Sequence, residues 1–123
     1  MKQKEFLELV IQLLESGMPA GKLLASLKNE HGTRKYSEQI CLYIEENSSF
    51  SLSLLMVLDQ MHGKRNLVKR YKELVEASEE TGNLTGALKC ILRYLNEREE
   101  TLLKCFTALL YFINMNLFSK DVQ

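Results

Sequence analysis

Few residues in this chain have types and spacing suited to chemistry, and the sharpest group is the run Glu79-Glu80-Thr81-Gly82. It falls at the end of an amphipathic helical pattern. A helix end exposes carbonyls and carries partial negative charge, so two carboxylates there are locally unfavourable without a partner. The partner can be backbone N–H groups of a neighbouring turn, a basic side chain of this or another protein, or a cation. A hard cation such as calcium needs several oxygen ligands. Glu76, Glu79 and Asn83 are the local candidates for such a site, and no other metal-ligand set stands out.

Other reactive side chains lack the company that catalysis needs. His31 and His62 both fall at predicted helix ends with no Cys or carboxylate at ligand spacing, which suits capping or solvent exposure better than metal or proton chemistry. Cys41, Cys90 and Cys105 form no C-x-x-C and sit in apolar helical patterns, so they read as reduced, buried thiols. No serine has the strand–turn–helix setting of a nucleophile elbow, and no Walker-type loop cradles phosphate. The expectation is a protein that is not an enzyme and has no cofactor. Lys plus Arg and Asp plus Glu each number 16; that balance argues against nucleic acid as a main partner, which would need a basic excess or stripe. The basic cluster Lys64-Arg65, Lys69-Arg70, Lys72 reads as a solvated helix face or as a surface for an acidic partner. Glu97-Arg98-Glu99-Glu100 reads as a solvated face, and Met56 and Met61 as core.

The elements that must position these residues are helices. At 123 residues, with 46% hydrophobic and 26% charged residues, the chain is ordinary for one folded domain. Residues 1–6 lack the apolar stretch and cleavage site of a signal peptide. Apolar residues recur three and four apart, and no convincing period-two strand is present. The first helix is predicted over about 3–16, with Phe6, Leu9, Val10, Leu13 and Leu14 on one face. Gly17 ends it, and Pro19 suits the first turn of the next, which carries Leu23, Leu24 and Leu27. A third, about 34–46, turns Tyr36, Ile40, Tyr43 and Ile44 inward. After Asn47-Ser48-Ser49, Ser49 or Ser51 can cap a fourth, with Leu54, Leu55, Leu58 and Met61 inward, stopping near His62-Gly63. The fifth, about 65–81, carries Leu67, Val68, Tyr71, Leu74, Val75 and Ser78. Gly82-Asn83 breaks it, and the last begins near Leu84 with Leu88, Ile91, Leu92 and Leu95.

The expected fold is therefore all-α, an antiparallel six-helix bundle built from three helical hairpins. Its structural turns centre on Gly17, Pro19, Asn47 and Ser51, and on Gly82. A leucine follows Gly17 and Asn47 seven places on (Leu24, Leu54) and follows Gly82 six places on (Leu88). The turns recur at intervals of 30 and 35 residues, from 17 to 47 to 82. A repeat of that period also admits a tetratricopeptide-like array that binds a peptide or partner protein, although the Trp, Gly and Tyr landmarks of that repeat are absent.

At these turns the chain resembles the type II secretion F domain, found in inner-membrane platform proteins of type II secretion and type IV pilus machines. The family's opening turn, L-L-x-A-G-x-P-L, is read here as Leu13-Leu14-Glu15-Ser16-Gly17-Met18-Pro19-Ala20. Its second, I-x-x-G-x-S-L-S-x-A-L, is read as Ile44-Glu45-Glu46-Asn47-Ser48-Ser49-Phe50-Ser51-Leu52-Ser53-Leu54. Its most specific element, G-E-x-S-G-x-L, is read as Ser78-Glu79-Glu80-Thr81-Gly82-Asn83-Leu84. Asn47 stands where the family usually has glycine, a change a left-handed turn accepts, and Ser78 replaces the glycine before the glutamate. The resemblance covers roughly 6–110.

The resemblance implies a cytoplasmic scaffold domain at the bacterial inner membrane, linking the assembly ATPase to pseudopilin or pilin handling through protein–protein contacts. It implies that Glu79, Glu80, Thr81, Gly82 and Leu84 carry the family motif or a partner contact. The implied partners are the ATPase and other platform proteins, with a homodimer or higher oligomer expected. Residues 1–101 are expected to form the bundle and 102–123 to extend its last helix. The run 102–118 is almost wholly apolar but includes Lys104, Asn114 and Asn116. It reads either as a buried terminal helix or as the start of a membrane span, and the resemblance places the first transmembrane helix about here.

Overall fold

The computed structural model describes the backbone of residues 1–62 and 66–122, and within them the side chains of 1–61, 66–97, 105, 107–111 and 113–115. The described residues are all-helical, without strands: α1 (Gln3–Glu15), α2 (Ala20–Lys28), α3 (Arg34–Glu45), α4 (Phe50–His62), α5 (Leu67–Thr81) and α6 (Leu84–Val122). They divide into two compact units, Met1–Leu92 and Arg93–Gln123.

In the first unit, three helices end in the same way. Gly17, Asn47 and Gly82 are left-handed, at φ of 87°, 73° and 79°. Behind Gly17, the Met18 N–H reaches the Leu13 carbonyl at 3.3 Å and the Gly17 N–H reaches Leu14 at 3.0 Å. Around Asn47 the matching bonds are Ser48 to Tyr43 at 3.1 Å and Asn47 to Ile44 at 3.0 Å; around Gly82 they are Asn83 to Ser78 at 2.8 Å and Gly82 to Glu79 at 3.3 Å. This paired pattern is the Schellman motif, which satisfies carbonyls left over at a helix end. The leucines that follow the turns, Leu24, Leu54 and Leu88, are all buried. Pro19 differs slightly from expectation. It lies outside the first turn of α2 as an extended cap residue, φ −64° and ψ 155°, because its carbonyl already accepts the Leu23 N–H at 2.9 Å.

The core joins Phe6, Leu7, Val10 and Ile11 of α1 to Leu23 and Leu27 of α2, Ile40 of α3, Leu54, Leu55 and Leu58 of α4, Leu67 and Val75 of α5, and Leu88 and Ile91 of α6. Each chain neighbour from α1 to α5 packs on the next, α1 also packs on α4, and the α4–α5 pair is the most extensive. Buried polar side chains fix the register. The Gln3 amide donates to the Leu58 carbonyl at 2.6 Å, tying α1 to α4. Thr33 and Ser37 donate to the Leu27 and Leu24 carbonyls at 2.5 and 2.6 Å, so α3 covers the end of α2. The Phe6 and Tyr36 rings meet at 5.2 Å, Gln60 donates to the Tyr43 hydroxyl, and Lys89 pairs with Glu15 at 2.8 Å on the surface.

Several expected inward residues face out. Leu74 is 43% exposed and Ile44 37% exposed. The buried line of α5 runs through Leu67 and Val75, and Leu74 lies about 100° round from Val75; Ile44 is in the last turn of α3, beside the Asn47 turn. The cysteines are not buried: Cys90 and Cys105 are exposed and Cys41 is half-buried. Helix α6 turns Leu88 and Ile91 inward, and Cys90 falls between them on the other side. Met56 and Met61 are half-buried.

The second unit is the remainder of α6. Leu95 is buried there, whereas Leu109, Leu110, Tyr111, Ile113 and Met115 are exposed. Among the described residues, no helix is long and apolar enough to cross a membrane.

Candidate partner-contact site at the start of helix α4

The Glu79 motif meets the first turn of α4. That helix starts from Ser49, whose hydroxyl accepts the Leu52 N–H at 3.2 Å and whose carbonyl accepts the Ser53 N–H at 2.9 Å. Ser49 is thus the cap, the first of the two serines the sequence offered. Ser51, buried, plays a different part: its backbone N–H donates to Glu79 Oε2 at 3.1 Å, and its hydroxyl lies 3.3 Å from that of Ser49. An N-terminal helix turn has unsatisfied N–H groups and partial positive charge. Glu79 satisfies one of these donors from another helix. The partner its motif requires is therefore a backbone N–H of a neighbouring turn.

Around this bond, Asn47, Ser48, Ser49, Leu52, Glu76, Glu79 and Glu80 line a shallow concavity. Glu79 is half-buried and fixed, while Glu80 and Thr81 are exposed. The Thr81 hydroxyl turns back to the Ser78 carbonyl at 3.2 Å. Glu76 and Glu79 share the concavity, but Asn83 is not part of its lining. The Asn83 amide lies over Gly86, where an added Cβ would come within 2.8 Å of it. The three candidate cation ligands are thus not gathered, and among the described residues no group of three His, Cys, Asp or Glu is arranged to hold a metal. Leu84, half-buried, opens α6.

Asp59, outside the motif, makes a second contact of this kind. Its two carboxylate oxygens accept the Leu67 N–H at 3.0 Å and the Val68 N–H at 3.4 Å, capping α5 from the last turn of α4. Asn66, immediately before α5, is left-handed at φ 54° and makes no side-chain cap bond. No local signal points to Asp59, because a cap is normally sought beside the helix it serves. His31 is exposed. The side chain of His62, the Lys64-Arg65 pair, the side chains of Arg98, Glu99 and Glu100, and those of Leu102, Leu103, Lys104, Phe106, Phe112, Asn116 and Phe118 lie outside the described residues.

The class of protein this defines is an all-helical domain whose motif carboxylate closes a contact between two helices. The chain belongs to the family described as Type II secretion system (T2SS), protein F, whose model matches residues 6–117. Comparison with curated proteins and with solved structures found no match. Members of this family are non-enzymatic inner-membrane platform proteins of secretion machinery.

Proposed function

We propose that this chain is a cytoplasmic adaptor domain of an inner-membrane platform protein in type II secretion or type IV pilus assembly, coupling the assembly ATPase to pseudopilin or pilin handling by protein–protein contacts. The observation that carries the reading is the family match across 6–117, which takes in all three left-handed turns and the Glu79 motif. In this reading the six helices form an antiparallel bundle of three hairpins, each closed by one left-handed turn. The fixed Glu79 holds the α4–α5 end in shape, and the exposed Glu80 beside it is available to a partner. The segment 102–123 continues the last helix into the membrane.

The test is co-purification of the assembly ATPase of the same organism with the platform protein in detergent, alongside secretion or piliation in cells. Glu80→Lys is expected to leave the fold intact, weaken ATPase recovery several-fold and lower export. ATPase recovery and export equal to those of the unaltered protein, for this variant and for one lacking residues 1–101, overturn the adaptor role.

A further inference from the structure

The formal net charge of the chain is zero, but the first unit sorts its exposed charges by end. One end is defined by the contacts that close it. The Gln3 amide reaches the Leu58 carbonyl at 2.6 Å, and the Phe6 and Tyr36 rings meet at 5.2 Å. Thr33 reaches the Leu27 carbonyl at 2.5 Å, and Asp59 holds the Leu67 N–H at 3.0 Å. Together these contacts gather the starts of α1, α3 and α5 with the ends of α2 and α4. Lys2, Lys28, Arg34, Lys35 and Lys69 are exposed there. The acids exposed beside them are Glu5 and Glu30, and the Asp59 carboxylate is taken up by α5.

The other end has the opposite character. There Ser51 meets Glu79, α3 stops before the Asn47 turn, and α2 follows the Gly17 turn. Glu45, Glu46 and Glu80 are exposed, as is Lys22. Local helix stability does not call for this sorting. The first turns of α3 and α5 hold no acidic residue and carry Arg34, Lys35 and Lys69 instead, although a helix start favours anions. An anionic surface outside the chain supplies the compensation that the helices lack.

The second unit indicates which surface that is. Its exposed Leu109, Leu110 and Tyr111 belong to the segment proposed above to enter the membrane. A chain held at a bilayer is within reach of the headgroups, and anionic headgroups attract clustered Lys and Arg. We infer that the end of the first unit bearing Lys2, Lys28, Arg34, Lys35 and Lys69 lies on anionic phospholipid headgroups, with the Glu45, Glu46 and Glu80 end turned to water. The inference rests on the proposed membrane entry of 102–123. Glu5 and Glu30 offset part of the charge, so the contact is weak by itself. It orients a chain that the apolar segment already holds, and it leaves Glu80 open to a partner.

Amine-reactive labelling of the full chain on vesicles, followed by peptide mapping, tests this. Vesicles of phosphatidylcholine are compared with vesicles in which phosphatidylglycerol replaces part of it, since neither lipid has a reactive amine. On the mixed vesicles Lys2, Lys28, Lys35 and Lys69 are expected to label several-fold more slowly than on the neutral ones, with Lys22 little changed. At 1 M salt, where screening acts within about 3 Å, the difference is expected to vanish while the chain stays on the vesicles. Lys28→Glu combined with Lys35→Glu, checked for helix content, is expected to remove the protection of Lys2 and Lys69 as well. If that pair fails to fold, Lys28→Gln with Lys35→Gln takes its place and is expected to weaken the protection. Equal labelling of the four lysines on both kinds of vesicle, by a chain that floats with both, overturns the inference and leaves the membrane entry standing. A chain that floats with neither overturns both. Protection of Lys22 as strong as that of the four overturns the orientation. Protection by an RNA oligonucleotide, with none on the mixed vesicles, overturns the lipid assignment.

Discussion

Asp59 and Glu79 perform the same task at opposite ends of one helix pair: Asp59 on α4 holds the first N–H groups of α5 at 3.0 and 3.4 Å, and Glu79 on α5 holds the Ser51 N–H in the first turn of α4 at 3.1 Å. Each helix supplies the anion that its neighbour's positive end requires. The exchange accounts for acidic residues where local rules disfavour them, Glu79 in the last turn of α5 above all. It locks register as well, because sliding either helix by one residue breaks a bond at both ends.

Removal of either carboxylate leaves backbone donors without a partner. Glu79→Ala and Asp59→Ala are each expected to lower stability by about 1 kcal/mol, within the range for lost helix caps. Asp59→Ala is expected to cost more, since it releases two N–H groups. Urea unfolding followed by circular dichroism measures both. A Glu79→Ala protein with an unchanged midpoint shows that water replaces the carboxylate at no cost, and the motif then has no structural part.

The three left-handed turns make a graded set. A β-branched residue at Gly17 or Gly82 must take a conformation that costs roughly 1–2 kcal/mol. No atom lies within 4 Å of an added Cβ at either site, so the cost is in the backbone alone. Gly17→Val and Gly82→Val are expected to melt lower, Gly17→Asn to lose only a few tenths of a kcal/mol, and Asn47→Gly to be neutral or slightly stabilising. Thermal melts rank the series. Equal midpoints for Val and Asn at position 17 contradict the left-handed assignment.

These turns were the most legible part of the fold. Gly17, Asn47 and Gly82 sit where helical patterning stops, and the helices between them follow from apolar spacing. The Glu79 motif announced that it needed a partner, but Ser51 lies 28 residues away, and no local pattern links the two. Asp59 was invisible because its partners lie in the next helix, eight and nine residues on. Leu74 and Ile44 were misplaced because spacing fixes a helix's apolar side but not how wide a strip its neighbours cover. The same limit hid the exposure of Cys90.

That exposure can be read chemically. Cys90 and Cys105 are exposed, and Cys41 is half-buried. Access governs how fast a thiol meets a reagent. A chromogenic disulfide reagent on the native protein is expected to modify Cys90 and Cys105 in a fast phase and Cys41 in a slower one. Peptide mapping of the early product identifies the sites. In denaturant the phases are expected to merge. Fast native labelling of Cys41 ahead of Cys90 contradicts the packing of α3 described above.

The exposed residues of the second unit bear on the membrane. Leu109, Leu110 and Tyr111 are consecutive and exposed, as are Ile113 and Met115. Successive helical residues point about 100° apart, so these side chains spread over about two-thirds of the helix circumference and do not form one stripe. A single partner helix covers a stripe; apolar residues spread more widely than one stripe need cover on more than one side, as lipid provides. The chain is therefore expected to float with phospholipid vesicles in a density gradient, and a chain ending at Glu100 to stay at the bottom. High salt is expected to leave the flotation unchanged, since the attraction is apolar; loss of flotation in salt points instead to the basic residues of α5. If the full chain stays at the bottom as a monomer, the segment is not lipid-seeking, and the proposed continuation of α6 into the membrane fails.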